Sequence, residues 1–190
     1  MDLTRIAFLI LLGCVGLERV VELQVSRRHQ RDLASCGARK HGDPQYCWMV
    51  ALHAGVLIGA ALEVTLLHRP FIALLAFPAL ALFALATLLR WWVIRTLGIH
   101  WNTEVMESAP LGVVSEGPFR WIRHPNYLGV FIELIALPLI HTAWITAAFA
   151  AAGNVLVLRN RLRIEERLLD AVPTYRAAMS GKPRFFPRIF

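Results

Sequence analysis

Five apolar stretches recur along a chain of 190 residues, and nothing constrains its fold more strongly. They occupy residues 3–25, 46–67, 71–97, 125–140 and 142–158. A helix needs about 20 mostly apolar residues to cross a bilayer, and the first three stretches reach that length. The last two are shorter and meet at His141, which predicts a tight helical hairpin within the membrane, with Pro138 bending or ending its first arm. A soluble domain of this size would need more charge to cover its surface than the 17% charged side chains set against 57% hydrophobic ones. The expected fold class is therefore an all-α integral membrane protein with about five transmembrane helices. It forms a single domain over 1–190: three amino-terminal spans in 1–97, then a loop, the hairpin and a tail in 98–190. Arg5 ahead of an apolar run imitates a signal peptide. The run continues into Glu18 and Arg19 without a small-residue cleavage site, so it reads as a retained first span.

The charges give an orientation. Segment 26–45 holds five basic residues, segment 95–124 three and the tail from Arg159 eight, which accounts for most of the 20 Lys and Arg. Basic residues collect on the cytoplasmic side, which places the amino terminus outside and the carboxyl terminus inside, as an odd number of spans also requires. The surplus of base over acid, +7, matches that placement beside anionic lipid and excludes nucleic acid as the partner. Cys14, Cys36 and Cys47 have no metal-ligand or disulfide spacing, and the seven histidines form no HExxH pattern, so no metal is expected.

Two constellations carry chemistry. In Gly117-Pro118-Phe119-Arg120-Trp121-Ile122-Arg123-His124-Pro125-Asn126-Tyr127-Leu128-Gly129, the Gly-Pro pair predicts a turn, and Pro125 suits the first position of a helix capped by His124. The backbone N–H groups of Asn126 and Tyr127 then face outward at the positive end of the helix dipole, a ready site for a carboxylate or phosphate. A basic interfacial collar with aromatic belt residues reads the same string equally well. The second constellation opens the tail, where Arg161 and Glu165 lie four apart on one helical face and Glu166 follows. Ionisable groups directly after a hydrophobic span tend to be functional.

Together these residues resemble the isoprenylcysteine carboxyl methyltransferase family. Arg-His-Pro-x-Tyr-x-Gly at 123–129, the short hairpin, Arg161-x-x-x-Glu165-Glu166, Tyr175 and the Arg-Phe-Phe-Pro string from Arg184 carry the likeness over about the last half of the chain, with 97–105 matching in position. In the first half, Glu18-Arg19-Val20-Val21-Glu22-Leu23 and the stretch 41–46 are similar to a bacterial branch that methylates long-chain alkylpyrones. The resemblance implies S-adenosylmethionine as cofactor, in a cytoplasmic pocket formed by the carboxyl-terminal half. Val113, Val114 and Phe119 would line the pocket, and His124, Asn126 and Tyr127 would hold the methionine part. Glu165 would bind the cofactor from the other side, and Arg161, helped by Glu166, would face the acceptor. Many relatives have Tyr where Phe119 stands, so a hydrogen bond is lost there. The implied partners are membrane lipid and a lipophilic acceptor that enters from the bilayer, first an alkylpyrone and second an isoprenylcysteine. Glu18, Arg19 and Glu22 either line that entry route or form an internal ion cluster. Membrane sterol reductases, which use a nicotinamide cofactor, share the Arg-His-Pro-Asn-Tyr-Leu-Gly string and supply a second reading; a non-catalytic membrane scaffold is a third.

Overall fold

The computed structural model describes residues 2–42, 45–107 and 112–185. Asp43 and Pro44 of the stretch 41–46, and Phe186 and Pro187 of the carboxyl-terminal motif, lie outside the described residues. Five long helices appear where the apolar stretches predict them: α1 Leu3–Ser35, α2 Tyr46–Leu66, α3 Ala73–Leu97, α4 Pro125–Leu139 and α5 Trp144–Asp170, followed by a short α6 Pro173–Met179. A two-residue antiparallel ladder, β1 Arg39–Lys40 against β2 Met106–Glu107, is the extent of strand pairing among the described residues. Helices α2 and α3 are long and apolar enough to cross a bilayer. At about 1.5 Å per residue the 21 residues of α2 match the ~30 Å hydrocarbon layer.

The remaining helices depart from simple spans in ways their sequences explain. Helix α4 has 15 residues and ends one residue after Pro138, whose ring cannot continue the ladder. Helix α1 continues ten residues past its apolar part, to Ser35, through the basic stretch that was expected to be a loop. Helix α5 likewise runs through the charged stretch expected to be a separate tail, because Arg, Leu and Glu are strong helix formers and nothing between 159 and 170 breaks the ladder.

Packing runs α1 against α2, α2 against α5, α5 against α4 and α4 against α3. One apolar cluster joins Phe8, Leu12 and Val15 of α1 to Ala60 and Val64 of α2, Phe83 of α3 and Leu137 of α4. Outward faces carry exposed Ile58, Leu62, Phe77, Leu85 and Phe149, the pattern of a helix bundle whose solvent is lipid. The α4–α5 hairpin is held at its tip by Glu63 of α2. That carboxylate accepts the Ile145 N–H (3.1 Å), the Thr146 N–H (2.8 Å) and the Thr146 hydroxyl (2.8 Å). These are the open N–H groups of the first turn of α5, and Arg69 completes the pairing at 2.7 Å.

Candidate active site

At the opposite end of the bundle, the chain enters α4 through a turn that only glycine fits. Gly117 has φ +54°, and a Cβ there would stand 2.6 Å from Thr96 Oγ1 on α3. The turn buries Phe119 against Val93, Tyr175 and Met179, with Val113 and Val114 packed alongside. The carboxyl-terminal strap then fixes the approach to the helix. Pro183 O accepts the Arg123 N–H (2.9 Å), Arg184 O accepts the His124 N–H (3.1 Å), and Lys182 Nζ donates to Phe119 O (2.8 Å). Pro125 takes the first helical position with His124 as N-cap, and the ladder begins with Leu128 N–H donating to His124 O at 3.3 Å. The Asn126 and Tyr127 N–H groups thus precede the ladder, as the sequence predicts. The cap itself differs from an ordinary one, since the His124 side chain makes no cap bond and turns instead to Glu166.

Glu166 is the hub of an ion cluster. It meets His124 Nε2 at 3.3 Å, Arg123 Nη1 at 3.3 Å, and Arg184 through Nε (2.8 Å) and Nη2 (2.5 Å). Burial alone would raise its carboxyl; the bonds from His124 and Arg184, with the charges of His124 and Arg123, outweigh burial and hold it at about 2. One residue earlier on α5, Glu165 accepts the Tyr127 hydroxyl. The same hydroxyl accepts Arg161 Nε (2.9 Å). Arg161 also donates to Met49 Sδ of α2 (3.2 Å) and to Thr103 O (2.5 Å). Tyr127 therefore bridges the two members of the Arg-x-x-x-Glu pair.

These groups surround one cavity of about 620 Å³. Val113, Val114, Phe119, His124, Asn126, Tyr127, Arg161 and Glu165 all line it, so the structure brings together every predicted site residue but one. Glu166 is the exception. Its carboxylate faces the carboxyl-terminal strap and the back of His124, because adjacent helical residues point about 100° apart and Glu165 takes the cavity side. Glu166 therefore stands behind His124, off the cavity wall. The pocket is also not a property of the carboxyl-terminal half, since Gly16, Arg19, Val20 and Leu23 of α1 and Met49, Val50 and His53 of α2 form its deeper wall.

Residues 98–107 close the cavity from outside the bundle. Ser26 Oγ bonds Thr103 Oγ1 and accepts the Thr103 N–H, both at 2.9 Å. His29 Nδ1 donates to Trp101 O at 2.9 Å, and Lys40 pairs with Glu104. The extension of α1 is thus the post that holds this segment down. Several buried polar atoms on the cavity wall have no partner among the described residues: Trp101 Nε1, Asn102 Oδ1, Asn126 Oδ1 and Asn154 Nδ2. A ligand with both donors and acceptors would satisfy them. Sequence reasoning missed His53 and Asn154; each is a polar residue inside an apolar run, the signal that marks intramembrane function.

Arg19 and Glu22 form the expected internal ion cluster and also line the cavity. Arg19 pairs with Glu22 (2.6 Å) and Glu133 (2.9 Å), and Arg90 pairs with the same two carboxylates at 2.8 Å. Glu18 joins the edge of this ring through Arg19 (3.8 Å) and accepts Trp91 Nε1 (2.9 Å). Gly129 makes room for Arg90, whose Cγ would lie 2.6 Å from a Cβ there.

A helical membrane bundle with an anion-receptive helix start, an Arg-Tyr-Glu relay and a cavity reaching into its apolar interior defines a class of membrane enzyme. The family follows from comparison. Residues 79–171, just under half of the chain, match the isoprenylcysteine carboxyl methyltransferase (ICMT) family, so this stretch is similar to that methyltransferase family. It is 28% identical to the protein YpbQ of Bacillus subtilis (strain 168) over 164 residues, covering 86% of this chain and 96% of that one. It is also 28% identical to a protein of Haemophilus influenzae over 160 residues, covering 83% and 92% respectively. Both likenesses extend through the amino-terminal helices, beyond the family match.

Proposed function

We propose that this protein transfers a methyl group from S-adenosylmethionine to an oxygen of a lipophilic acceptor. The observation that carries this reading is the single cavity that joins the α4 helix start to Arg161 and then to the apolar wall of α1 and α2. A cofactor with an amino-acid end suits the donor set. The Asn126 and Tyr127 N–H groups receive its carboxylate, while the unpaired Asn126 Oδ1 and the Glu165 carboxylate receive its ammonium or ribose hydroxyls. Phe119, Val113 and Val114 give an apolar surface for its base. When bound, that group supplies an electrophilic methyl carbon on a sulfonium, and the protein's task is to position and exclude water.

Arg161 orients the acceptor. Its guanidinium holds an anionic oxygen, a carboxylate or an acidic enol already ionised at neutral pH, in place of the weak Met49 thioether contact. No strong general base is required, so the contribution is proximity and alignment. The acceptor tail lies along Gly16, Val20, Val50 and Leu57 and reaches the cavity from the bilayer. A long-chain alkylpyrone is the first choice of acceptor and an isoprenylcysteine the second. The distribution of basic residues supports a bacterial inner-membrane protein with its amino terminus outside and its cofactor mouth in the cytoplasm.

Calorimetric titration of S-adenosylhomocysteine into detergent-purified protein tests the reading. Wild type should bind, and His124→Ala and Glu165→Ala should not. A radiolabelled methyl-transfer screen over lipophilic acids and enols then identifies the acceptor. Binding of NADPH in place of S-adenosylhomocysteine would transfer the site to the reductase reading. Binding of neither would reject both.

A further inference from the structure

The cavity carries a second polar layer, deeper in the bundle than the groups that handle methyl transfer. Asn154 lies on α5 seven residues before Arg161, hence on the same helical face and about 10 Å farther toward the bundle interior. It is only 5% exposed and lines the cavity, and its Nδ2 has no partner among the described residues. His53 of α2 faces the same level. It follows Met49, the neighbour of Arg161, by one turn. The residues just before His53 and Asn154, Leu52 and Gly153, pack so closely that a Cβ on Gly153 would stand 2.8 Å from Leu52 Cδ1.

An intramembrane amide without a partner is costly and is retained where it has a use. The neighbouring ion ring does not supply that partner: Glu22 and the Glu133 Oε2 atom are taken by Arg19 and Arg90, and Glu133 Oε1 by the Thr87 hydroxyl. His53 fixes the chemistry further. Its Nδ1 lies 2.8 Å from Met49 O, an atom that can only accept, so Nδ1 carries the proton. In the neutral ring Nε2 is then an acceptor, while Asn154 offers an N–H donor. A donor and an acceptor on one level fit a hydroxyl, which donates to His53 Nε2 and accepts from Asn154 Nδ2. Between the two polar layers Val50, Val130 and Val157 form an apolar belt.

We propose that His53 and Asn154 form a specificity subsite for a hydroxyl on the acceptor's tail, set about 10 Å from the oxygen that is methylated. This rests on the methyltransferase reading and narrows it: within any acceptor class, a member with a hydroxyl at that depth of its tail is preferred over its plain hydrocarbon counterpart.

The test uses full-length protein in detergent, saturated with S-adenosylhomocysteine, titrated with hexadecanoic acid and with its mid-chain and chain-end hydroxy derivatives. The mid-chain hydroxy acid should bind about tenfold more tightly than the other two, the worth of two neutral hydrogen bonds at roughly 1 kcal/mol or less each. Asn154→Leu and His53→Leu should each erase most of that preference, and His53→Gln, which keeps an acceptor, should restore part of it. Equal affinity for the three acids, binding of none, or a preference that survives both Leu variants overturns the proposal. The comparison of mid-chain with chain-end hydroxyl is made on wild type, so it holds even if a variant does not fold. S-adenosylhomocysteine affinity separates the two levels of the argument. If wild type binds it but shows no preference, the subsite alone fails; if wild type does not bind it, the methyltransferase reading fails.

Discussion

Replacing Glu166 by Gln removes the charge from the hub behind His124 while keeping its shape. Its carboxyl is held at about 2, against an ordinary value near 4.3 for glutamate. That difference corresponds to about 3 kcal/mol, and solvent screening reduces it because one of its partners, Arg184, is 49% exposed. A net loss of about 1–2 kcal/mol is expected, which for a chain of this size lowers Tm by roughly 3–6 °C. The sign with pH follows from the depressed value. The carboxylate contributes stability that is fully present above about pH 4.3 and is lost as pH falls toward 2. Melting curves of wild type and Glu166→Gln should therefore differ at pH 7 and converge only as pH falls toward 2. In function, the variant should bind S-adenosylhomocysteine several-fold more weakly, because His124 loses its anchor at 3.3 Å, yet turn over at a near wild-type rate once the cofactor is saturating. A variant with unchanged affinity and a turnover reduced a hundredfold would refute this reasoning and return Glu166 to the reacting groups.

Arg161→Ala should abolish transfer while S-adenosylhomocysteine affinity, by calorimetry, stays within a few-fold of wild type; equal loss of both would reject its role toward the acceptor. Gly117→Ala should destabilise by about 1–3 kcal/mol, read as a fall in Tm, because the new Cβ meets Thr96 Oγ1 at 2.6 Å in a backbone conformation that favours glycine. Ser26→Ala should loosen the segment over the cavity by removing both bonds to Thr103, and amide exchange at Thr103 should quicken tenfold or more; unchanged exchange would mean that the β1–β2 ladder alone holds the segment.

Local pattern carried much of this protein. Helix positions followed from apolar runs, since a bilayer fixes span length, and the α4 start followed from Pro125, whose missing N–H suits only the first turn. The site residues were legible because a helix places Arg161 and Glu165 on one face whatever surrounds them. The extents of α1 and α5 were less legible. Charge marks the membrane boundary, and a helix made of strong formers does not stop there.

Sequence by itself determined the helical class, the order of the helices and the residues around the α4 start, because each is set by neighbours within a few turns. Tertiary structure alone decided which distant residues meet. It brought Arg90 of α3 to Glu22 of α1 and Glu133 of α4, turned Glu166 toward Arg184 and away from the cavity, and set His53 on the same level as Asn154. Such meetings depend on how helices rotate and settle against one another, and packing of whole faces fixes that rotation without any signal in one helix's own spacing.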